Sequence, residues 1–372
     1  MIKVLHFFKT YYPDTMGGIE QVVFQLAEGA EKFDIDASVL TLSTRGSFSN
    51  QQVGTHRVYY SKLTINPAST GISISVIKEF RRLAKEADII HYHFPWPFMD
   101  LLHFICGVRK PTVVTYHSDV VKQKLLLHFY TPLMHKFLSR VDAIVASSPN
   151  YVESSSVLAR YRSKVSVIPF GLDPSTYPSV CEQKVEAWKD RIGNKVFLFV
   201  GALRYYKGLD YLLEACALND FSVAIVGGGP EEKALKQKIS SLRLENRVHM
   251  IGRVEDEDKV ALLSMCYGFV FPSHLRSEAF GMSLLEASMF GKPMISCEIG
   301  TGMSFINQNG VTGITIPPED SQALASAMDT MWNNEADALS MGENALKRFN
   351  EMFRSEKMLQ SYSNVYKRLV RT

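Results

Sequence analysis

No stretch of this chain approaches the ~18 uncharged apolar residues that a helix needs to cross a bilayer. Its opening, Met1-Ile-Lys-Val-Leu-His-Phe-Phe8, reads as a strand and lacks the basic start and small-residue cleavage site of a secretory leader. Cysteine is scarce: Cys106, Cys181, Cys216, Cys266 and Cys297 are odd in number, scattered, and form no CxxC. A disulfide framework is therefore not expected, and a reduced cytoplasmic compartment is. Net charge is only +3, with no nucleic-acid-binding module, which argues against a nucleic-acid partner. Low-complexity segments and short repeats are missing too, and no residue stands out as a covalent nucleophile.

What is present is an ordinary globular composition, 46% hydrophobic and 21% charged, over 372 residues, enough for two domains that each bury a core. Charge is unevenly spread. Residues 1–172 carry 19 Lys/Arg against 13 Asp/Glu, and residues 173–372 carry 22 against 25. A mildly basic first half suits an anionic membrane surface or a phosphorylated acceptor. Ordinary scatter of surface charge accounts for it equally well.

Along the chain, a strand at 2–8 leads through a turn into an amphipathic helix expected over 19–33. Apolar runs follow at 37–42, 89–92, 112–116, 143–146 and 165–168. Strands alternating with helices indicate a parallel sheet covered on both faces. The turn-rich segment Pro169-Phe-Gly-Leu-Asp-Pro-Ser-Thr-Tyr-Pro178 reads as a domain boundary. The alternation then restarts, with strands expected at 196–201, 223–226, 248–251, 269–271, 293–296 and 313–316. Helices are expected at 207–217, 230–243, 256–265, 281–290, 320–333, 335–349 and 355–370. The fold class is thus α/β: two Rossmann-like parallel-sheet domains, expected to face each other across a cleft into which the strands' C-terminal loops project.

Those loops carry the candidate residues. Gly17-Gly18 follows a strand and opens a helix, which allows a phosphate close to backbone, but the spacing is not GxGxxG and a plain turn explains it too. His117 ends the strand 112–116, a position where a functional and a structural imidazole are equally expected. His91 and His93 lie two apart on one strand face with no third ligand at suitable spacing, so zinc is not expected. Arg204 and Lys207 follow the strand 196–201 and can supply cations to a diphosphate. Gly227-Gly-Gly-Pro230 and Arg253 end the next two strands. Asp34-Ile-Asp36 and Asp256-Glu-Asp258 have the spacing of metal-holding acid pairs, but one sits in a helix–strand turn and the other in an acidic helix start.

The sharpest signal is Ser273-His-Leu-Arg-Ser-Glu-Ala-Phe-Gly-Met-Ser-Leu-Leu-Glu286. A strand runs into a loop and then a helix, so the N–H groups around Gly281, Met282 and Ser283 face an anion above the strand's end. Glu278 and Glu286 flank that anion in apolar surroundings, so both carboxylates are expected half buried and in need of partners.

These residues resemble the E-x7-E motif of retaining glycosyltransferases of the GT-B fold, family 4. The resemblance spans the chain through Gly17-Gly-Ile-Glu20, Ile168-Pro-x-Gly-x-Asp173, Lys207-Gly208, Gly227-Gly-x-Pro230 and Asn309-Gly-x-Thr-Gly313. Leu5-His-Phe-Phe-Lys-Thr-Tyr-Tyr-Pro-Asp14, Thr115-Tyr-His-Ser-Asp119 and Pro272-Ser-His-Leu-Arg-Ser-Glu278 look like bacterial mannosyl- and rhamnosyltransferases of lipopolysaccharide O-antigen assembly. That resemblance implies a nucleotide-sugar donor, GDP-mannose first, and a polyprenyl-diphosphate-linked saccharide acceptor. It also implies catalysis without a metal cofactor.

By position, Glu278 would hold the donor sugar's hydroxyls and Glu286 the ribose. Lys207 and the Phe280–Ser283 backbone would bind the diphosphate, and His117 would contact the transferred sugar. Residues 1–172 would bind the acceptor, 173–354 the nucleotide sugar, and 355–372 would pack back on the first domain. Two positions depart from the family: Ala202 stands where an arginine is usual, with Arg204 two residues on, and Phe170 replaces an asparagine. A UDP-sugar or GDP-rhamnose donor, a sugar-nucleotide epimerase and a silent binding module remain alternatives. The segment 122–140 sets cations beside large apolar side chains, which suits either a core helix or peripheral contact with the cytoplasmic face of the inner membrane.

Overall fold

The apolar runs become strands, most of them buried on both faces, as parallel sheets require; in the computed structural model, which describes residues 1–45, 49–67, 70–120 and 124–371, they form two separate sheets. The chain divides into two units, Met1–Gly171 with Arg354–Thr372, and Leu172–Phe353.

In the first unit the strands are β1 (Ile2–Phe7), β2 (Ile35–Ser43), β3 (Ser49–Val53), β4 (His56–Lys62), β5 (Ile89–Phe94), β6 (Thr112–Tyr116), β7 (Ala143–Ala146) and β8 (Val165–Val167), in the order β3-β4-β2-β1-β5-β6-β7-β8. All pair in parallel except β3, which runs antiparallel to β4. This hairpin corrects the all-parallel expectation. Four of the five β3 residues are exposed, so Ser-Asn-Gln-Gln-Val offers no apolar run to announce a strand.

The helix expected over 19–33 is also corrected. It runs Gly18–Glu28, pauses at Gly29 and continues as a 3-10 turn, Ala30–Phe33, ended by Asp34 in the left-handed region at φ 63°. Register places functional candidates side by side. His6 pairs with His91, and His93 pairs with Thr115, two residues before His117. Side chains two apart share a sheet face, so His6, His91, His93 and Thr115 lie on one face. The helix Ser355–Arg371 covers that face: Tyr366 Oη lies 2.6 Å from His91 Nδ1, and Tyr362 Oη lies 2.8 Å from Thr115 Oγ1.

In the second unit the strands are β9 (Val196–Val200), β10 (Ser222–Val226), β11 (Val248–Gly252), β12 (Gly268–Phe271), β13 (Met294–Cys297) and β14 (Gly313–Ile316), in the order β11-β10-β9-β12-β13-β14, all parallel. Sequence order reverses between β9 and β12. In open α/β sheets that switch point is where the crevice at the strands' carboxyl ends receives ligands. Two helices not anticipated from sequence, Glu182–Ile192 and Gly302–Ile306, belong to this unit.

No described helix is long and apolar enough to cross a membrane. The segment 122–140 forms a helix over Lys124–Arg140 that buries Met134, Phe137 and Leu138 and leaves Phe129 exposed; Lys122 lies outside the described residues.

Candidate functional site

At the β9/β12 switch point two loops meet. After β9 the chain makes a 3-10 turn, Tyr205–Lys207, that ends at Gly208 with φ 68°. A Cβ at Gly208 would collide with the Pro272 carbonyl beyond β12, so only glycine lets the two loops close. The His274 amide donates to the Tyr206 carbonyl at 3.0 Å and fixes the same contact.

Lys207 is thereby buried, its ammonium 4.3 Å from the centre of the Phe271 ring. A buried charge needs a partner, and Glu278 supplies it at 2.5 Å. Ser273 Oγ donates to the same carboxylate oxygen at 3.3 Å. An ammonium has three N–H donors, so pairing with Glu278 leaves Lys207 capacity for phosphate oxygens.

The loop continues through buried Phe280 to Gly281, which caps the helix Met282–Met289 at φ 93°. Gly281 supplies no capping side chain to the N–H groups of the first turn, at Met282 and Ser283, which have no partner within the helix. Glu286, one turn in, accepts from Tyr177 Oη at 3.0 Å and pairs with Lys259 at 3.1 Å. Burial and the Glu286 carboxylate hold the Tyr177 phenol well above its ordinary pKa, so it stays a donor. Burial opposes charge on Lys259, but Glu286 and Asp256 push its pKa up to about 12. The two acids are thus half buried and partnered, as their apolar surroundings demand; the partners present are protein groups.

The remaining candidates of this unit lie at the neighbouring strand ends. Leu203 N donates to the Gly228 carbonyl at 3.1 Å and Gly227 N to that of Gly252 at 2.8 Å, lacing together the loops after β9, β10 and β11. Arg253 is exposed and lies along Gly228, where a Cβ would sit 2.9 Å from its Nε. Arg204 is exposed. Asp256 pairs with Lys259 at 2.9 Å, while Asp258 pairs with Lys184 at 2.6 Å and accepts from Trp188 Nε1 at 2.9 Å.

In the first unit, Gly17 precedes the helix Gly18–Glu28, and the Glu20 carboxylate folds over it, accepting from Thr15 Oγ1 at 3.0 Å. A Cβ on Gly17 would lie 2.7 Å from Glu20 Oε2. The chain's own anion therefore stands at this helix start.

His117 is 4% exposed, with Phe170 against its ring at 5.3 Å and Phe8 at 6.5 Å. Phe170 thus lies against the imidazole at the position where the family resemblance called for asparagine. Burial lowers the His117 pKa to about 3, so the ring is neutral at physiological pH.

His93, weighed in the sequence only as a zinc ligand, and His6, which sequence reasoning missed, complete this cluster. His93 Nδ1 lies 2.9 Å from His117 Nε2, and His93 Nε2 lies 3.1 Å from His6 Nδ1. The expectation that His91 and His93 find no third imidazole is corrected: β1 supplies His6, and ring nitrogens of the three fall within 4.8 Å of one another. A metal would have to displace existing hydrogen bonds, since both His93 nitrogens face imidazoles and both His91 nitrogens face Thr115 and Tyr366. The HxH pattern was the only signal in the sequence; His6 is 87 residues from His93.

Comparison with known proteins supplies the rest. Residues 16–176 match the glycosyltransferase family 4 domain and residues 182–348 the glycosyl transferases group 1 domain. A D-rhamnosyltransferase of Pseudomonas aeruginosa is 53% identical over 352 residues, covering 95% of this chain and 92% of that protein. The O-antigen chain mannosyltransferase C of Escherichia coli is 50% identical over 369 residues, 99% of each chain. Among solved structures, sucrose-phosphate synthase from Thermosynechococcus elongatus superposes with a TM-score of 0.82 over 99% of both chains. The Anabaena protein HepE in complex with UDP gives 0.78 over 99% of this chain and 100% of that one; both are 19% identical and speak to the fold alone. By its two domain matches and by identity above one half to a full-length relative, this chain belongs to the family 4, group 1 glycosyltransferases and is a hexosyltransferase of the GT-B fold.

Proposed function

We propose that this enzyme transfers mannose, with retention of anomeric configuration, from GDP-mannose to a polyprenyl-diphosphate-linked saccharide in O-antigen assembly. The observation that carries the reading is the Lys207–Glu278 pair beside an uncapped helix terminus at the β9/β12 switch point. The terminus and Lys207 offer positive charge to a diphosphate, while Glu278 and Glu286 offer acceptors to the hydroxyls of the sugar and the ribose. As the bond from the anomeric carbon to the diphosphate breaks, negative charge grows on the leaving group, where Lys207 and the N–H groups of Met282 and Ser283 stabilise it. The acceptor hydroxyl attacks from the same face and gives its proton to the departing diphosphate. Charge on the diphosphate is met by these groups and needs no metal ion; each carboxylate of the Asp256-Glu-Asp258 pair is already held by a lysine. In the first unit, His117 contacts the transferred sugar and the Gly17-Gly18 turn helps bind the acceptor.

The test is product analysis. With GDP-mannose and a synthetic lipid-linked acceptor, proton NMR should show an α-linked product and equimolar GDP. A β-linked product would overturn retention, and turnover without acceptor would point to an epimerase. GDP should protect against thermal unfolding where UDP does not; the reverse would overturn the donor assignment. One observation favours a second donor, GDP-D-rhamnose: the 53% identical relative is a D-rhamnosyltransferase. D-Rhamnose is mannose without its 6-hydroxyl, so competing the two donors in one reaction separates these readings.

The surplus of six cations in residues 1–172 and the exposed Phe129 support peripheral contact with an anionic membrane. Liposomes with anionic lipid should sediment the protein in low salt and release it in high salt; no sedimentation in low salt would remove this part of the reading.

A further inference from the structure

The mechanism above uses His117 but leaves unexplained why three more histidines are buried beside it. His6, His91, His93 and His117 are each 4% exposed or less. Their rings stack at 4.5 Å (His91–His93) and 5.2 Å (His93–His117), and His6 lies tilted against His91 at 4.7 Å. Burial holds all four well below the ordinary imidazole pKa, to about 3 for His6 and His117, so all are neutral near pH 7.

A neutral imidazole has one N–H and one lone pair. His93 meets an imidazole nitrogen on each side, so it must donate to one neighbour and accept from the other. If His93 donates to His117, it accepts from His6, and His117 then carries its proton on Nδ1. If His117 donates to His93, then His93 donates to His6, and His117 Nδ1 keeps a lone pair. No mixed state satisfies both contacts. The tautomer of His117 is therefore tied to that of His6, which it does not touch. His91 stands outside the chain: Thr115 and Tyr366 engage its two nitrogens, and its ring packs on His93 and holds that ring in place.

The contacts allow two concerted states; we propose that the enzyme populates one of them, with His93 and His6 as positioning residues, so that His117 Nδ1 meets the transferred sugar with one hydrogen-bonding sense only. The proposal rests on the reading of His117 as a sugar-contacting residue, and it extends the machinery of the reaction two strands away from the sugar. A ring caught between tautomers would present donor and acceptor by turns and lose half its encounters; removing an orienting partner can cost far more.

The test uses the full-length enzyme labelled with 15N-histidine, with long-range proton–nitrogen correlation reading each ring's tautomer at pH 7.5. In the wild type His117 should show one tautomer. His6→Phe, which leaves the His117–His93 contact intact, should turn the His117 signal into a mixture, and His93→Phe should do the same. Each variant should lose about tenfold or more in kcat with donor KM little changed. A tautomeric mixture in the wild type, or a His117 signal unchanged in both variants, would overturn the relay. So would stoichiometric metal on the purified enzyme, because a metal bound to these nitrogens replaces the hydrogen bonds. The two readings fail separately: His117→Ala with full transfer activity removes the sugar contact and leaves the tautomer result standing.

Discussion

Each unit buries a cluster of polar groups on or beside its sheet, and the two keep them there by opposite means. In the first unit the groups are neutral: buried imidazoles hydrogen-bond one another beside Phe8 and Phe170. In the second they are charged and paired, Lys207 with Glu278 and Lys259 with Glu286. Burial penalises charge in both. The first unit answers by suppressing it, the second by matching it with glycine-tight loops. The difference fixes how each fails: the neutral cluster is vulnerable to protons, the paired cluster to loss of one partner.

The largest effect is expected in the paired unit. Glu278→Ala removes the acceptor proposed for the sugar and strands the Lys207 charge; transfer should fall by about a thousandfold. Stability should drop by about 3 kcal/mol in urea unfolding. Near-wild-type turnover from a folded variant would break the assignment of charge chemistry to this unit.

Acid should act on the other unit. His6 and His117 titrate near 3 when folded and near 6.5 when unfolded, so only the unfolded chain takes up protons between these values. Their stabilisation is complete above pH 6.5 and is lost as pH falls toward 3. At pH 5 the loss should be about 2 kcal/mol per histidine relative to pH 8. Hydrogen exchange should show residues 1–171 opening first, and His6→Phe should remove one histidine's share of the pH dependence. Equal acid sensitivity in both units would erase the contrast.

Much of the second unit's site was legible because it is local. Glu278, Gly281 and Glu286 sit on one loop and helix, and Lys207 lies just past a strand end. What was not legible is who holds them. Tyr177 and Lys259 reach Glu286 from 109 and 27 residues away, and neither forms part of a motif. In the first unit His117 stood out by its place at a strand end, but its partners come from β1 and β5, and only the register of the sheet brings His6 beside His91. The polar β3 strand escaped notice for a related reason: strands are visible in sequence through what they bury, and β3 buries only Val53.

Smaller effects sharpen the comparison. Tyr177→Phe deletes one hydrogen bond to Glu286, worth about 1 kcal/mol, and should raise donor KM a few-fold with kcat little changed. Arg204→Ala, at an exposed site, should change donor KM by less than about threefold, with an effect that fades in high salt. A larger, salt-resistant loss would mean that Arg204 takes over the role of the arginine absent at Ala202.

The central claim is that the second unit holds a guanosine diphosphate through Lys207. Calorimetric titration of GDP into the wild type and into Lys207→Met tests it most directly. The wild type should bind one GDP, and the variant, shown folded by circular dichroism, should bind it at least about tenfold more weakly. Equal GDP affinity in both proteins, or UDP binding without GDP binding, would contradict the account.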